Sequence, residues 1–467
     1  MRLSFYGGVK EIGGNKILLE DDDTKVFLDF GMSFNRHGKF FEEYLKPRVS
    51  CGMSDFVEMG LVPRIEGIYR EDLLRLLDWD IQDEPSVDAV FLSHMHLDHT
   101  AYVSFLDKRI PIYCSEISKR IAKVLLEAGQ RQIDKEIYNF KPRPILNRRE
   151  PPIERMFETL EPGKSVKVGS LEIKPFSVSH SIPGAISCIV YCPNGIVVYT
   201  GDLRLRGPGG DLTAKFVEEA GEEKPDVLLC EGTRIDSTDS RTEEDVKSDS
   251  GKILSRAKQL VVADYASRDV TRFKTFYDLA VEHGRKLVIT KKDAYLIQEL
   301  EGTGLEIPDI NSEGILIYKE RKKTGRYELS DYSKWERPFL DLPNTKDSEF
   351  VCKNQGKLIL HLGFFNINEL IDIKPKKGSI YIHSTSEPHN EEQRIDEERL
   401  DNWLKHFDMY PRLQSHASGH ANRPDLVKII GGIQPKKVTP IHTEHPELFN
   451  LIHENVEYPK LHANAVK

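Results

Sequence analysis

Apolar residues in the first 200 positions recur in short runs that have the pattern of β-strands. Near the N-terminus we predict strands over Leu3–Tyr6, Lys16–Glu20 and Lys25–Phe30, and acidic residues at the turn between the last two support the division. One helix is predicted over residues 117–128, where the apolar residues have helical spacing. Four more strands are predicted over residues 165–168, 171–176, 186–191 and 195–200.

After Glu231 the pattern changes to an alternation of strands and helices. Residues 234–252 are polar and indicate a linker or an exposed helix. Beyond them we predict strands near residues 259–263 and 286–290, and helices near 270–283, 293–301 and 394–407. This alternation favours a small domain with a parallel sheet. From His416 the chain returns to histidine-bearing loops, with a helix predicted near 423–430 and a strand near 437–441.

Composition narrows the class of protein. The chain has 467 residues, enough for about two or three domains, and a formal net charge of −9, so overall charge does not indicate nucleic-acid binding. No apolar run is long enough for a membrane helix, and the N-terminal residues lack a signal-peptide pattern. We expect a cytoplasmic protein with free thiols, because six cysteines are scattered along the chain: Cys51, Cys114, Cys188, Cys192, Cys230 and Cys352.

The segment 93–99 has the clearest chemical pattern, because it follows an apolar run at residues 87–92 that predicts a buried strand. It places His94, His96, Asp98 and His99 within six residues. Imidazole and carboxylate groups together suit zinc, and a carboxylate without cysteine is typical of a catalytic site. The alternative is a histidine-rich surface turn.

Three more candidate ligands follow predicted strands. They are His180, Asp202 and His442. Each taken alone is as consistent with a satisfied polar group or a cap, but together with residues 94–99 they provide ligands for two metal ions. We expect one ion to bind His94, His96 and His180, the other to bind Asp98, His99 and His442, and Asp202 to bridge both. Two zinc ions roughly 3.5–4 Å apart can clamp both oxygens of a phosphoryl transfer and turn a bound water into a hydroxide nucleophile.

The order of these motifs resembles a known family. Asp29, the 94–99 run, His180 and Asp202 resemble the motif series of the metallo-β-lactamase fold. The runs 229–234, 415–421 and 440–442 resemble the motifs of its nucleic-acid-processing branch, called β-CASP. The opening run 7–15 and the sequence His-Ala-Ser-Gly-His at 416–420 are similar to ribonuclease J.

The resemblance implies a fold and a domain order. It predicts an α/β protein with a four-layer αββα metallo-β-lactamase domain made from residues 1–230 and 412–467. A β-CASP domain, residues 231–411, is expected as an insertion. The sequence ends 25 residues after His442 (467 − 442), so the likeness is to archaeal-type members without the C-terminal domain of bacterial ribonuclease J. Residues 32–80 match no motif of the family, and a lid and a partner surface are the two alternatives for this segment.

The resemblance also implies residue roles. His420 is expected to protonate the leaving oxygen, with Glu231 as its carboxylate partner, and Asp98 is expected to be both a ligand and a catalytic residue. His416, Ser418 and Gly419 are expected to bind the phosphate next to the scissile one. Asp29 is expected to accept a hydrogen bond from a ligating histidine.

Together these implications predict a metal-dependent hydrolase that cleaves single-stranded RNA. We expect two zinc ions per chain, with manganese as an alternative, and 5′-to-3′ exonuclease action from a 5′-monophosphate end. Endonuclease action, a preference for DNA and a homodimer stay open. The remaining alternatives are a non-catalytic nucleic-acid-binding relative, disfavoured because every candidate ligand is present, and an esterase, disfavoured by Glu231 and His420.

Overall fold

The structure is a computed structural model that describes residues 1–42, 44–129, 132–143, 151–386 and 391–462. Its chain divides into two compact units. Unit 1 comprises Met1–Ser240 and Gly419–Lys467, and unit 2 comprises Arg241–Ser418. The predicted boundaries, at residues 230 and 411, lie ten (240 − 230) and seven (418 − 411) residues earlier. The assignment of the units as metallo-β-lactamase and β-CASP domains stays a prediction.

Unit 1 contains two six-stranded sheets. The strands that precede unit 2 are β1 (Arg2–Gly7), β2 (Lys16–Asp21), β3 (Thr24–Phe30), β4 (Ala89–Phe91), β5 (Ile112–Ser115), β6 (Asn139–Phe140), β7 (Ile153–Glu154), β8 (Phe157–Leu160), β9 (Val166–Val168), β10 (Leu171–Ser177), β11 (Ile186–Cys192), β12 (Gly195–Tyr199) and β13 (Val227–Glu231). One strand follows unit 2 and is numbered β21 (Val438–Ile441). The first sheet has the order β1-β2-β3-β4-β5-β8, the second has the order β21-β13-β12-β11-β10-β9, and β6 pairs with β7.

The two sheets pack face to face, because one buried apolar cluster contains residues of both, among them Leu19 and Phe91 from the first and Val190 and Leu229 from the second. A second cluster covers the other face of the second sheet. The second sheet is therefore covered by apolar side chains on both faces. The helices of unit 1 are α1 (Phe34–Gly38), α2 (Ser54–Glu58), α3 (Glu71–Leu74), α4 (Leu97–Thr100), α5 (Glu116–Ala128), α6 (Gly210–Glu222) and, after unit 2, α13 (Arg423–Ile433).

Helices complete the layers. α6 and α13 pack on the second sheet through residues such as Phe216 and Ile429, and α5 packs on β5 and β8 of the first sheet. The arrangement confirms the predicted α/β fold. Short 3-10 helices occupy Val49–Cys51, Ala101–Phe105, Ile133–Lys135 and Pro446–Leu451.

Unit 2 is built on one seven-stranded parallel sheet in the order β17-β16-β15-β18-β14-β19-β20. Its strands are β14 (Val261–Asp264), β15 (Lys286–Ile289), β16 (Ile315–Lys319), β17 (Thr345–Asp347), β18 (Leu358–His361), β19 (Ile380–His383) and β20 (Leu413–Gln414). Its helices are α7 (Glu243–Leu254), α8 (Val270–Glu282), α9 (Lys291–Glu299), α10 (Ser348–Asn354), α11 (Leu370–Ile373) and α12 (Glu391–His406). Short 3-10 helices lie at Leu329–Asp331, Arg337–Phe339, Gln355–Lys357 and Phe364–Glu369.

Most predicted elements of both units are present with shifts of a few residues at their ends. The polar run 234–252 contains α7, whose Val246 and Leu254 are buried, so the alternative of a linker is wrong for that part. Its N-terminus is fixed by a capping box between Thr242 and Asp245. Within the described ranges, no helix combines the length and the apolar character that crossing a bilayer requires.

Candidate metal centre

The candidate ligands stand at the carboxyl ends of strands in unit 1. β3 and β4 are parallel, as are β12, β13 and β21, so the ends of each set lie at a common sheet edge. A rigid strand end positions a side chain well, because the hydrogen-bonded ladder fixes the backbone just before it. The residues that follow these ends, or begin the helix after them, are His94, His96, Asp98, His99, His180, Asp202 and His442.

The first group joins His94, His96, His180 and Asp202, whose ligand atoms all lie within 4.8 Å of one another. His96 Nδ1 lies 3.0 Å from His94 Nε2 and 3.2 Å from His180 Nε2. Ligands of a tetrahedral zinc ion at 2.0–2.1 Å are about 3.3 Å apart. The three ring nitrogens therefore have the spacing that a single ion requires.

The second group joins Asp98, His99 and His442 within the same limit. Asp98 Oδ2 lies 3.2 Å from His442 Nε2 and 3.8 Å from His99 Nε2. One carboxylate and two imidazoles are a donor set that zinc accepts. These two groups contain the same residues as the two ligand sets predicted from the sequence, and their division between two ions stays a prediction.

Asp202 stands between the two groups. Its Oδ2 lies 3.1 Å from His99 Nε2, 3.6 Å from the Nε2 atoms of His94 and His442, and 3.8 Å from His180 Nε2. The residue is 2 % exposed, and among the described residues its Oδ1 has no hydrogen-bond partner. A buried carboxylate oxygen without a partner is costly, so these residues fit a site built for cations.

Asp29 orients His99 by bonding to Nδ1, the ring nitrogen that does not face the cluster. His99 Nδ1 donates to Asp29 Oδ2 at 2.6 Å, which leaves Nε2 directed at the cluster. Asp29 also accepts from the backbone N–H and the hydroxyl of Ser93, each at 2.7 Å, and from the hydroxyl of Tyr199 at 2.5 Å. This geometry is the one expected of a carboxylate that orients a ligating histidine.

Two other histidines are fixed in the same way through Nδ1. His180 Nδ1 donates to the carbonyl of Gly419 at 2.8 Å, and His442 Nδ1 donates to the hydroxyl of Thr233 at 2.8 Å. The carbonyl of Gly419 can only accept, so this bond selects the tautomer of His180 whose Nε2 carries a lone pair toward the cluster. The backbone at Gly13 lies close to the side chain of Asp98. A Cβ added at Gly13 would lie 2.6 Å from that side chain, and Gly13 has a φ of +77°, which favours glycine.

Burial sets the charge states of the cluster. It lowers the pKa of His94 well below its usual value, and the neighbouring His99 lowers it further. Burial and then His420 lower the pKa of His180 to about 4. The pKa of Asp98 is also lowered, because His99 and His442 outweigh its burial. Neutral imidazoles and an ionised carboxylate are the forms that bind metal. The pKa of His99 shifts the other way, because burial is outweighed by the carboxylates of Asp202, Asp29 and Asp98, which raise it well above its usual value, so His99 would release a proton on binding metal.

His420 and Glu231 form an ion pair beside this cluster. His420 Nδ1 lies 3.1 and 3.2 Å from the two carboxylate oxygens of Glu231. Glu231 is fully buried and also accepts from the backbone N–H groups of Leu203 and Thr233, each at 3.1 Å. Burial lowers the pKa of His420, but the charge of Glu231 and the hydrogen bond to it raise it overall to about 9. The pair places a protonated imidazole, 21 % exposed, at the edge of the cluster.

The three residues predicted to bind phosphate are divided between the units. Gly419 lies in unit 1, where a Cβ would stand 2.7 Å from Ser181, while His416 and Ser418 lie in unit 2. In unit 2, His416 Nδ1 donates to the carbonyl of Ser384 at 3.2 Å. The phosphate-binding role of these residues, and the ligand roles assigned above, stay predictions.

The sequence analysis missed three residues that orient the cluster. Ser93 and Tyr199 bond to Asp29, and Thr233 bonds to His442. Ser93 lies in the segment 93–99 and Thr233 in the run 229–234, so a hydroxyl beside the candidate ligands could have indicated both residues from the sequence. Tyr199 lies 170 residues from Asp29, and nothing local to either residue indicates that they meet.

Comparisons with known proteins agree with this geometry. Residues 69–261 match the family model described as "Beta-lactamase superfamily domain", and residues 413–454 match "Zn-dependent metallo-hydrolase RNA specificity domain". The chain is 22% identical to Ribonuclease J 2 of Streptococcus pyogenes, over 96% of this chain and 70% of that protein. It is 24% identical to Ribonuclease J of Pyrococcus abyssi, over 95% of this chain and 90% of that protein. A solved structure, a protein of unknown function from Enterococcus faecalis, matches with a TM-score of 0.71 at 22% identity, over 98% of this chain and 97% of that one.

These matches and the geometry of the site give the class of protein: the chain has the metallo-β-lactamase fold, and its residues 413–454 are similar to a family of zinc-dependent metallo-hydrolase domains. Within that superfamily the full-length similarity is to ribonuclease J, which confirms the predicted likeness to the ribonuclease J-like β-CASP family. The expectation of a metal-dependent hydrolase is confirmed with it.

Proposed function

We propose that the chain is a metal-dependent ribonuclease that hydrolyses phosphodiester bonds of single-stranded RNA with two zinc ions per chain. The observation that carries this proposal is the position of Asp202 Oδ2, within 3.1 to 3.8 Å of four imidazole nitrogens that belong to both ligand groups. The similarity to proteins named ribonuclease J, and to a family model of RNA specificity, supports RNA as the substrate.

The distances support two ligand sets. His94, His96 and His180 would hold one ion, Asp98, His99 and His442 would hold the other, and Asp202 would be shared. Zinc ions bound there would supply Lewis acidity toward a phosphate oxygen and a lower pKa for a coordinated water. Glu231 also lies within 4.8 Å of Asp202 and His442, but its oxygens already accept three hydrogen-bond donors, which favours a role with His420.

His420 supplies the proton that the leaving oxygen needs. Its Nδ1–H bond to Glu231 holds the ring in place and stabilises the imidazolium form. Nε2 then carries the transferable proton, and with Nδ1 bonded to Glu231 it is the ring atom that would reach a substrate oxygen. A general acid in this position contributes about 10²–10⁴-fold to the rate.

The direction of cleavage belongs to the same proposal. An imidazole, a hydroxyl and backbone N–H groups near a glycine suit the oxygens of a terminal phosphate, and His416, Ser418 and Gly419 provide these groups within four residues of one motif. A site that reads a 5′-monophosphate favours 5′-to-3′ exonuclease action, and the product would keep a 5′-phosphate. Endonuclease action would use the same cluster without this recognition.

The direct test is a product-length assay on RNA and DNA of the same sequence, labelled at either end, with zinc or manganese added. The expected result is metal-dependent shortening of the RNA from its 5′ end. His442→Ala should abolish it, while His445→Ala is the matched control, because His445 is 49% exposed and pairs with Glu447. Cleavage of DNA alone, or no cleavage with either metal, would contradict the proposal.

A further inference from the structure

Unit 2 contains a charged side chain that is entirely buried. Arg272, in α8, has an exposed fraction of 0 %. Its Nε donates to both carboxylate oxygens of Glu243, at 2.8 and 3.1 Å. A buried guanidinium is costly to desolvate, so a fold keeps it only where its donors are paired.

The two terminal nitrogens of Arg272 bond to segments far along the chain. Nη1 donates to the carbonyl and the hydroxyl of Ser384, at 2.7 and 2.6 Å, and Nη2 donates to the carbonyl of Ala417 at 3.3 Å. Nη1 also lies 3.4 Å from His416 Nδ1. One side chain therefore ties α7 and the end of β19 to the loop that follows β20.

That loop, residues 415–418, carries His416 and Ser418 on either side of Ala417. Ser384 holds its first part, because the Ser384 hydroxyl donates to the carbonyl of Ser415 and His416 Nδ1 donates to the carbonyl of Ser384. Ser384 is itself fixed by Arg272. One guanidinium thus contributes both to the backbone position of the loop, through Ala417 and Ser384, and to the ring orientation of His416, through Ser384.

We infer that Arg272 is the positioning residue of the 415–418 loop and sets the recognition of an RNA 5′-monophosphate by His416 and Ser418. This inference rests on the proposed function. Arg272 is too deeply buried to reach the phosphate, so it acts through the loop. Its planar group is required, because a lysine keeps the charge beside Glu243 but cannot span Ser384 and Ala417 together.

The chain offers a matched control in the same unit. Arg285 is 7% exposed and donates to the backbone carbonyls of Ala257, Gln259 and Leu358. Arg285→Lys makes the same chemical change in a buried arginine that also holds backbone carbonyls. These three carbonyls lie outside the 415–418 loop, so the variant measures what the loss of such bonds does by itself.

The experiment measures kcat/KM of the zinc-loaded protein on one RNA sequence bearing either a 5′-monophosphate or a 5′-hydroxyl. In Arg272→Lys the ratio of the two values should fall by roughly 10–100-fold, the loss typical of a misplaced binding group, while the rate on the 5′-hydroxyl RNA stays at that of the wild type. Arg285→Lys should keep the wild-type ratio.

The outcomes separate the inference from the function it rests on. A wild type that cleaves neither RNA overturns the proposed function. A wild type that cleaves both at equal rates removes the end recognition, and the inference falls with it. A variant Arg272→Lys that keeps the ratio, or that loses both rates in equal proportion, overturns the inference alone.

A second variant covers the case in which Arg272→Lys does not fold. Arg272→Met combined with Glu243→Gln removes both charges, so that no buried carboxylate is left unpaired. Thr275 still donates to residue 243 through its hydroxyl, as it does to Glu243 at 2.6 Å. The same fall in the ratio is expected, and an unchanged ratio contradicts the inference.

Discussion

The pair of His420 and Glu231 gives a prediction that can be worked out from the structure. Glu231→Gln replaces a carboxylate that accepts from three N–H donors by an amide with one acceptor oxygen. At least one of these donors then faces the amide NH₂ group. Hydrogen bonds to a charged group contribute about 1.5–3 kcal/mol, which corresponds to roughly 10–150-fold in kcat when the bond stabilises the acid form of His420.

The sign of the pH effect follows from the same contact. Glu231 raises the pKa of His420 to about 9, so its removal lowers that pKa toward the ordinary value of a histidine. The protonated acid is then lost at lower pH, and the alkaline limb of the pH–rate profile moves to lower pH. In the wild type the effect is mutual, since His420 lowers the pKa of Glu231 against the effect of burial.

The assay is kcat of the zinc-loaded protein on a short 5′-phosphorylated RNA between pH 5 and 10, together with the zinc content of each variant. Glu231→Gln in a His420→Ala background should have no further effect, because Glu231 acts through His420. An unchanged profile in the single variant, or a full additional loss in the double variant, would refute this reasoning.

Three further predictions follow from other contacts. His420→Ala should slow hydrolysis by about 10²–10⁴-fold with zinc content unchanged; a wild-type rate would assign the acid elsewhere. Asp29→Asn should weaken zinc binding by about 10–100-fold, measured by competition with a chelator, because His99 loses its carboxylate partner; an unchanged affinity contradicts the orienting role. In unit 2, Asp293 raises the pKa of buried His361 against desolvation, and its own pKa is lowered by His361. The stabilisation by this pair is complete between the ordinary pKa values of Asp and His, about 4 and 6.5. It is lost as pH rises through the raised pKa of His361 or falls through the lowered pKa of Asp293. Asp293→Asn should therefore flatten the decline of thermal stability from pH 6 to 9, and a decline identical to that of the wild type would refute this prediction.

The sequence predicts the metal cluster well because strand ends are local features. An apolar run followed by His or Asp can be recognised without knowing the fold, and the parallel pairing of β12, β13 and β21 then brings such ends together. The bond between Tyr199 and Asp29 joins different sheets, and the pattern around neither residue indicates it.

In residues 32–80 and at the start of unit 2, the pattern of apolar and polar residues is not enough to predict the helices and their burial. In this segment α3 covers only Glu71–Leu74, and Arg70, the residue before it, is buried in ion pairs with Asp72 and Glu136. In α7, Glu243 is buried and bonds to Arg272. A helix with a polar sequence therefore has a buried face that includes a charged residue. A polar pattern predicts an exposed segment, but charged residues that pair with each other in the folded protein can be buried.

The most direct test of the account is the number of zinc ions that one chain binds, measured by elemental mass spectrometry after equilibrium with free zinc is reached. Two ions per chain are predicted for the wild type, and fewer than two for Asp202→Asn, since Asp202 Oδ2 is shared by both ligand groups. A wild type that binds at most one ion, or an Asp202→Asn variant that still binds two with unchanged affinity, would contradict it.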